Sequence, residues 1–227
     1  MKQGVPGGRT MMDKFEGLLD DRQRRILDSL DGPAAIQAFL NETPYSAENA
    51  NRCPLSVLRD GVAHCLDGAL LAAVALRRLG YPPLIVDLLP EPGMDDDHVI
   101  VLYWRDGHLG ALAKSNFVGL RYREAIHRNL RELALSYFEP YFNLNGDRSL
   151  RSYTRPLNLS TLDKTGWMWS DAGADAVERR LAQLKRIPLL TDRMIAHLSP
   201  VDQLAYQAGM IGVNEAGLYI PGRSGKV

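Results

Sequence analysis

The sequence predicts an α+β fold in which a buried central helix packs on an antiparallel sheet. Residues 64–79 predict the helix, because Ala and Leu favour helix and apolar residues cover nearly every side of this stretch. Residues 98–117 predict a hairpin, because a β-rich run that begins at His98 is followed by Asp106-Gly107, a strong turn signal, and a returning strand. Amphipathic stretches towards both ends predict further helices around this centre.

The flanking elements follow from local patterns of apolar residues, proline and glycine. In chain order they are a helix over residues 13–30, a short helix over 33–40, a strand over 84–89, an acidic loop over 90–97 and, beyond the hairpin, helices over 121–138 and 171–186. We therefore expect three parts. They are a mobile tail over residues 1–12, a core domain over 13–150 and a helical extension over 151–227 that packs on the core and ends in a second tail.

The composition bounds the partners and the compartment. The 27 basic and 27 acidic residues cancel, which gives no reason to expect nucleic acid or an anionic membrane as partner. No apolar run approaches the roughly 18 residues of a membrane span. Two cysteines are too few for a disulfide framework, and the first residues lack the apolar stretch of a signal peptide, so we expect a cytoplasmic protein. The glycine-rich start lacks the pattern of a phosphate-binding loop, and we expect no cofactor.

Three residues predict thiol chemistry. Cys65 begins the central helix, where backbone N–H groups favour a thiolate. His98 begins the strand-like run and would take the thiol proton as a base. Asn116 on the returning strand would accept a hydrogen bond from a ring N–H of His98 and so orient the imidazole. We predict Cys65, His98 and Asn116 as catalytic residues.

The hairpin register decides which residue faces His98. A three-residue loop sets His98 opposite Asn116. A two-residue Asp106-Gly107 turn sets it opposite Ser115 and turns Asn116 to the other face. The sequence leaves both registers open, so Ser115 is the alternative to Asn116.

Other polar residues near these positions have supporting or structural interpretations. His64 would line the site or cap the helix together with Asp67. Asp97 would hold an imidazolium on His98. Lys114 would bind an acidic group of a substrate or lie exposed. Cys53 has no such context, and we interpret it as a structural cysteine.

The acidic run before His98 also suggests a metal site. The carboxylates of residues 95–97, together with His64 and His98, are suitable ligands for a divalent ion. Consecutive residues of an extended segment point to alternate faces, however, so three adjacent aspartates rarely converge on one ion. We expect no bound metal and keep a metal-dependent hydrolase as the second alternative.

A resemblance to a known family rests on the order of these motifs. A cysteine heads an Ala/Leu-rich helix ending in Leu-Gly-Tyr-Pro; a strand, an acidic turn into His-Val-Ile and a hairpin to a polar residue follow. Over roughly residues 55–120 this order resembles the transglutaminase-like superfamily, and residues 114–142 resemble its bacterial members. The resemblance implies a papain-like fold with Cys65 as nucleophile, His98 as base and Asn116 as the orienting residue. Two residues depart from the common pattern, since His64 replaces a frequent Trp and Asn116 replaces the usual Asp.

These observations together predict a cysteine-dependent acyl-transfer enzyme. It would be an amide or peptide hydrolase or a transglutaminase-like amidase that works through a thioester intermediate. Its partner would be a peptide, a protein or a small amide or ester. The first alternative is a catalytically silent scaffold of the same fold that binds a ligand. The acyl acceptor and the oligomeric state are open at this point.

Overall fold

The computed structural model describes residues 10–220, so residues 1–9 of the tail predicted over 1–12 and the second predicted tail, 221–227, lie outside the described residues, whereas residues 11 and 12 belong to the first helix. Three helices open the described chain: α1 Met11–Glu16, α2 Asp21–Ser29 and α3 Pro33–Glu42. The single helix predicted over residues 13–30 is therefore wrong. Gly17 ends α1, and Asp20 and Gln23 form a reciprocal capping box that starts α2.

The central helix is confirmed. After α4 (Pro54–Asp60), helix α5 spans Cys65–Arg78 and is followed by Gly80 with a φ of 87°. Every residue from Cys65 to Leu76 is buried, as the nearly uniform apolar sequence predicts. None of the helices that lie within residues 10–220 is long and apolar enough to cross a membrane.

An antiparallel sheet with strands of different lengths packs against α5. Within residues 10–220 its seven strands are β1 Leu84–Pro90, β2 His98–Arg105, β3 His108–Leu112, β4 Arg123–His127, β5 Leu150–Thr154, β6 Leu157–Asn158 and β7 Arg186–Pro188. The spatial order is β4-β3-β2-β1-β5-β7, and β6 also pairs with β1. The predicted α+β arrangement, with the cysteine-bearing helix on an antiparallel sheet, is therefore confirmed.

The β2–β3 hairpin has the two-residue turn. Arg105 pairs with His108 across Asp106 and Gly107, whose φ values are 49° and 77°. Positive φ at both central residues is typical of the tight turn that matches the twist of a hairpin. Extended beyond the last ladder pair, this register sets His98 level with Ser115 rather than Asn116.

Two stretches of the chain contain strands where the sequence predicts helix. Residues 121–138 form β4 and the short helix α6 (Leu130–Leu135), because pairing with β3 takes the first half of the stretch into the sheet. The C-terminal part includes helices α7 Asp171–Ala182, α8 Asp192–Ile195 and α9 Gln203–Gly209. It also contributes β5 and β7 to the same sheet. Sheet pairing between segments distant in sequence overrides local helix preference in both places.

The sheet has a hydrophobic core on each face. Val99, Val101 and Tyr103 belong to the core that contains α5, whereas Ile100 and Leu102 belong to the core with Tyr137 and Tyr141. Successive side chains of a strand point to opposite faces. His98 therefore lies on the face of the second core, at the end of β2 that adjoins the head of α5.

Candidate active site

Cys65 is held at the first position of α5 by a cap on the helix. The His64 Nδ1 atom accepts the Leu66 backbone N–H at 3.2 Å, and Asp67 Oδ2 accepts the His64 backbone N–H at 3.1 Å. His64 thus takes the capping role, one of the two expected for it. The Cys65 side chain is 5% exposed, and its sulfur lies 4.0 Å from the carbonyl oxygen of Asp97, the residue directly before His98.

Asp67 ties the head of α5 to the loop that precedes α4. Its carboxylate is fully buried and accepts the Arg52 backbone N–H at 2.7 Å through Oδ1. The same oxygen lies 3.1 Å from His64 Nε2. A buried carboxylate with several donors fixes the groups around it, because its removal leaves those donors unsatisfied. The position of Cys65 is therefore set by the Asp67 contacts as well as by the helix.

His98 is buried, and one ring nitrogen is fixed by a backbone carbonyl. Its Nε2 lies 2.7 Å from the Leu120 carbonyl oxygen. A carbonyl can only accept, so Nε2 donates and the neutral ring carries its lone pair on Nδ1. The pKa of His98 is lowered to about 4, chiefly by burial; the bond to Leu120 opposes this shift, and the Arg123 guanidinium makes a smaller contribution in the same direction as burial. The imidazole is consequently neutral at pH 7.

The Leu120 carbonyl is the orienting group that the sequence analysis missed. It ends a 3-10 turn, Val118–Leu120. Arg123 donates to the Gly119 carbonyl at 2.8 Å, and the Tyr137 hydroxyl donates to the Arg121 carbonyl at 2.8 Å. These contacts fix the turn on both sides of Leu120. A main-chain carbonyl has no signature in residue type, so no pattern in the sequence could have identified it.

The depressed pKa of His98 makes stability depend on pH. A histidine whose pKa is lower when folded binds fewer protons in the native state than in the unfolded state. Its contribution to the free energy of unfolding is therefore fully present above pH 6.5 and is lost as the pH falls towards 4. Between pH 7 and pH 4 we expect the free energy of unfolding of the wild type to fall by about 3 kcal/mol relative to His98→Gln. Urea unfolding of both proteins across this range measures the difference.

Comparison with His98→Gln cancels the effect of a partly buried carboxyl group that titrates in the same range. Burial raises the pKa of Asp95 to about 6, which acts on stability in the opposite direction. Both proteins retain Asp95. Parallel pH dependences of the two proteins would show that His98 is not buried as a neutral ring.

Asn116 binds the C-terminal part of the chain. Its Oδ1 accepts the Asn214 backbone N–H at 2.8 Å, and its Nδ2 donates to the Asn214 carbonyl at 3.0 Å and to that of Gly217 at 3.4 Å. Ser115 Oγ accepts the Phe117 backbone N–H at 3.0 Å. Both side-chain amide atoms of Asn116 are therefore occupied by main-chain groups, and the bond that orients His98 comes from Leu120.

Lys114 lies inside the protein and anchors a helix end. Its ammonium donates to the Leu40 carbonyl at 2.9 Å and to the Thr43 carbonyl, both at the end of α3. Burial lowers the pKa of Lys114 to about 8. The exposed position expected for Lys114 is wrong, since only 4% of the residue is accessible. The contacts of Lys114 stabilise the end of α3.

In the acidic run, residues 95–97, two successive side chains each accept a hydrogen bond from the backbone N–H of the next residue. Asp95 Oδ1 accepts the Asp96 backbone N–H at 3.0 Å, and Asp96 Oδ1 accepts that of Asp97 at 3.2 Å. Asp95 Oδ2 also accepts the Ser149 hydroxyl at 2.7 Å. Within residues 10–220 no three His, Cys, Asp or Glu side chains are grouped in a way that suits a metal ion.

The second cysteine has a different environment. Cys53 is fully buried, belongs to the core around α5, and lies with its sulfur 3.4 Å from Ser56 Oγ. Burial raises the pKa of the Cys53 thiol, which disfavours the thiolate. Cys53 therefore serves as an internal control for any reaction of Cys65.

One cavity gathers most of the residues that the sequence analysis selected. The residues that line it include Cys65, Asp97, His98, Ser115 and Asn116. His64 lines an adjoining cavity that also contains Cys65. A sulfur at a helix head and a neutral imidazole thus line one crevice.

Comparisons with known proteins add one structural likeness. No protein-family model and no curated protein matched the sequence. Among solved structures, Legionella pneumophila LapG is similar to this chain with a TM-score of 0.40 and 14% sequence identity, over 75% of this chain and 95% of that one. The interpretation of the crevice rests on the residues of this chain.

Proposed function

We propose that the protein is a cysteine-dependent acyl-transfer enzyme of the transglutaminase-like kind, with Cys65 as nucleophile and His98 as base. The observation that carries the proposal is the shared crevice of Cys65 and His98, with the lone pair of the imidazole on Nδ1. The order of motifs over residues 55–120 supports the same chemistry.

The proposed reaction has two halves. The Cys65 thiol gives its proton to His98 Nδ1 while the sulfur attacks the carbonyl carbon of an amide or ester. A thioester forms, the C–N or C–O bond breaks, and His98 returns the proton to the departing amine or alcohol. Water or an amine then attacks the thioester with His98 again taking a proton, which yields a free acid or a new amide and restores the thiol.

The head of α5 supplies the proposed oxyanion site. The Leu66 backbone N–H is bound to His64 Nδ1, so the donor that we assign to the oxyanion is the backbone N–H of Cys65. A single such donor contributes about 3 kcal/mol to the stability of a tetrahedral intermediate. The positive end of the helix dipole acts in the same direction.

Trapping of the acyl-enzyme tests this proposal. After incubation with a p-nitrophenyl ester and an acid quench, we expect the acyl group on the proteolytic peptide that contains Cys65 and none on the peptide with Cys53, since a thioester survives in acid. His98→Ala should leave the thiol in place but slow acylation by about 100-fold or more. Equal acylation of both cysteines, or none at Cys65, would contradict the proposal and favour a binding scaffold.

A further inference from the structure

A segment from the C-terminal part of the chain lies over the candidate nucleophile. We refer to residues 214–220 as the closing segment. Three neighbouring cavities open beside Cys65, and in each of them both Cys65 and Tyr219 are part of the wall. Tyr219 therefore borders all three cavities, which we refer to together as the groove at the head of α5.

The closing segment is held through its main chain. The Asn116 side chain pairs with both the N–H and the C=O of Asn214, at 2.8 Å and 3.0 Å. The Asn214 side chain in turn donates to the Tyr45 carbonyl at 3.0 Å. A side-chain amide that matches the donor and the acceptor of one residue recognises a peptide backbone of almost any sequence.

One position of the closing segment is packed too closely for an added Cβ atom to fit without a shift. A Cβ atom on Gly217 would lie 2.9 Å from Cδ1 of the Tyr45 ring and 3.4 Å from Nδ2 of Asn116. The first distance is shorter than packed carbon atoms tolerate, so a larger residue would force the segment away from the groove. The groove thus limits the size of the side chain at residue 217 and forms hydrogen bonds with main-chain groups beside it.

The closing segment contributes little to the core. None of the residues 214–220, all of which the structure describes, is buried, and 43% of Ile220 is exposed. The segment consists of one 3-10 turn, Glu215–Gly217, followed by extended backbone at Leu218. Its contacts resemble those of a bound peptide rather than those of a packed structural element.

We propose that the groove beside Cys65 is a binding site for peptides with a glycine at the place between Tyr45 and Asn116, and that the closing segment occupies it as a tethered ligand. The proposal rests on the proposed function, since it identifies polypeptide as the substrate class of the same site. In this arrangement the closing segment limits access to Cys65, and a peptide substrate displaces it. Asn116 is a substrate-binding residue in this scheme.

The first arm of the test dislodges the closing segment in the full-length chain. Gly217→Val should raise the rate of Cys65 alkylation by iodoacetamide by about ten-fold or more, because the side chain no longer fits. Gly32→Val is the matched control, since a Cβ there meets nothing within 4 Å. Alkylation is read by mass spectrometry for each cysteine, with buried Cys53 as the internal standard. An unchanged rate at Cys65 in Gly217→Val would overturn the proposal.

The second arm supplies the ligand in trans. A synthetic peptide with the sequence of residues 214–220 should protect Cys65 of Gly217→Val and return its alkylation to within about two-fold of the wild-type rate at saturation. The same peptide with valine in place of its glycine should not protect. Failure of the first peptide to protect, or equal protection by both, would show that the groove is not a glycine-selective peptide site.

Neither arm requires turnover. Fluorescence anisotropy with a labelled peptide on the double variant Cys65→Ser, Gly217→Val measures binding without the nucleophile. Binding there, combined with failure of acyl trapping, would retain the peptide site and reject the chemistry. Acyl trapping at Cys65 without peptide binding would retain the chemistry and reject the peptide site.

Discussion

Replacement of Cys65 by serine should lower the rate of p-nitrophenyl ester turnover by about 10⁴-fold while the fold is retained. The loss is large because the residues of a nucleophile–base unit act together, and removal of one member abolishes most of the rate enhancement. Serine keeps the size of the side chain, and Cys65 packs outside the two hydrophobic cores, so the free energy of unfolding should change by less than about 1 kcal/mol. Steady-state kinetics measures the loss of turnover, and urea unfolding measures the change in the free energy of unfolding.

Cys53→Ser is the matched control for this variant. Cys53 lies in the core with no exposed surface, and we expect its replacement to cost stability without changing turnover per folded molecule. The opposite pattern, with turnover lost at Cys53 and kept at Cys65, would reject the assigned nucleophile. Turnover kept in both variants would point to chemistry that uses no cysteine.

The sequence predicts the helix that begins at Cys65 well, because that helix depends on local physics. An unbroken apolar stretch between a polar cap and a glycine leaves few alternatives to a buried helix, and His64 with Asp67 forms the expected capping pair. Asp106 and Gly107 likewise predict a hairpin, although the sequence alone did not decide between two registers. The structure has the two-residue turn.

The parts that the sequence does not predict depend on contacts between distant segments. The orienting carbonyl of Leu120 is a main-chain group, and the partner of Asn116 is Asn214, 98 residues later. The buried Lys114 ammonium donates hydrogen bonds to two carbonyls at the end of α3. Patterns within a short window contain no information on such pairings, which also explains why strand β4 was predicted as helix.

Gly68→Ala should destabilise the protein by about 1 to 2 kcal/mol, although alanine is the better helix former. Helix propensity alone favours alanine by about 1 kcal/mol at an interior position. Against this, a Cβ on Gly68 would lie 2.2 Å from Cβ of Lys114, an atom next to the main chain that cannot move away as a side-chain end does. Overpacking of this kind costs about 1 to 3 kcal/mol or more, and here it must also separate α5 from the chain that leads to Ser115 and Asn116.

The position of Gly68, one turn after Cys65, links this packing to the proposed chemistry. A shift of α5 that relieves the contact with Lys114 moves the head of the helix relative to His98, and a displacement of 1 Å between reacting groups lowers rates by about 100-fold. We therefore expect Gly68→Ala to lose both stability and turnover. Gly32→Ala, where a Cβ meets nothing within 4 Å, should lose neither beyond about 1 kcal/mol of stability. If Gly68→Ala instead gained the 1 kcal/mol that propensity offers, then α5 would not be held against Lys114 at this distance. The close approach would then not be what positions Cys65.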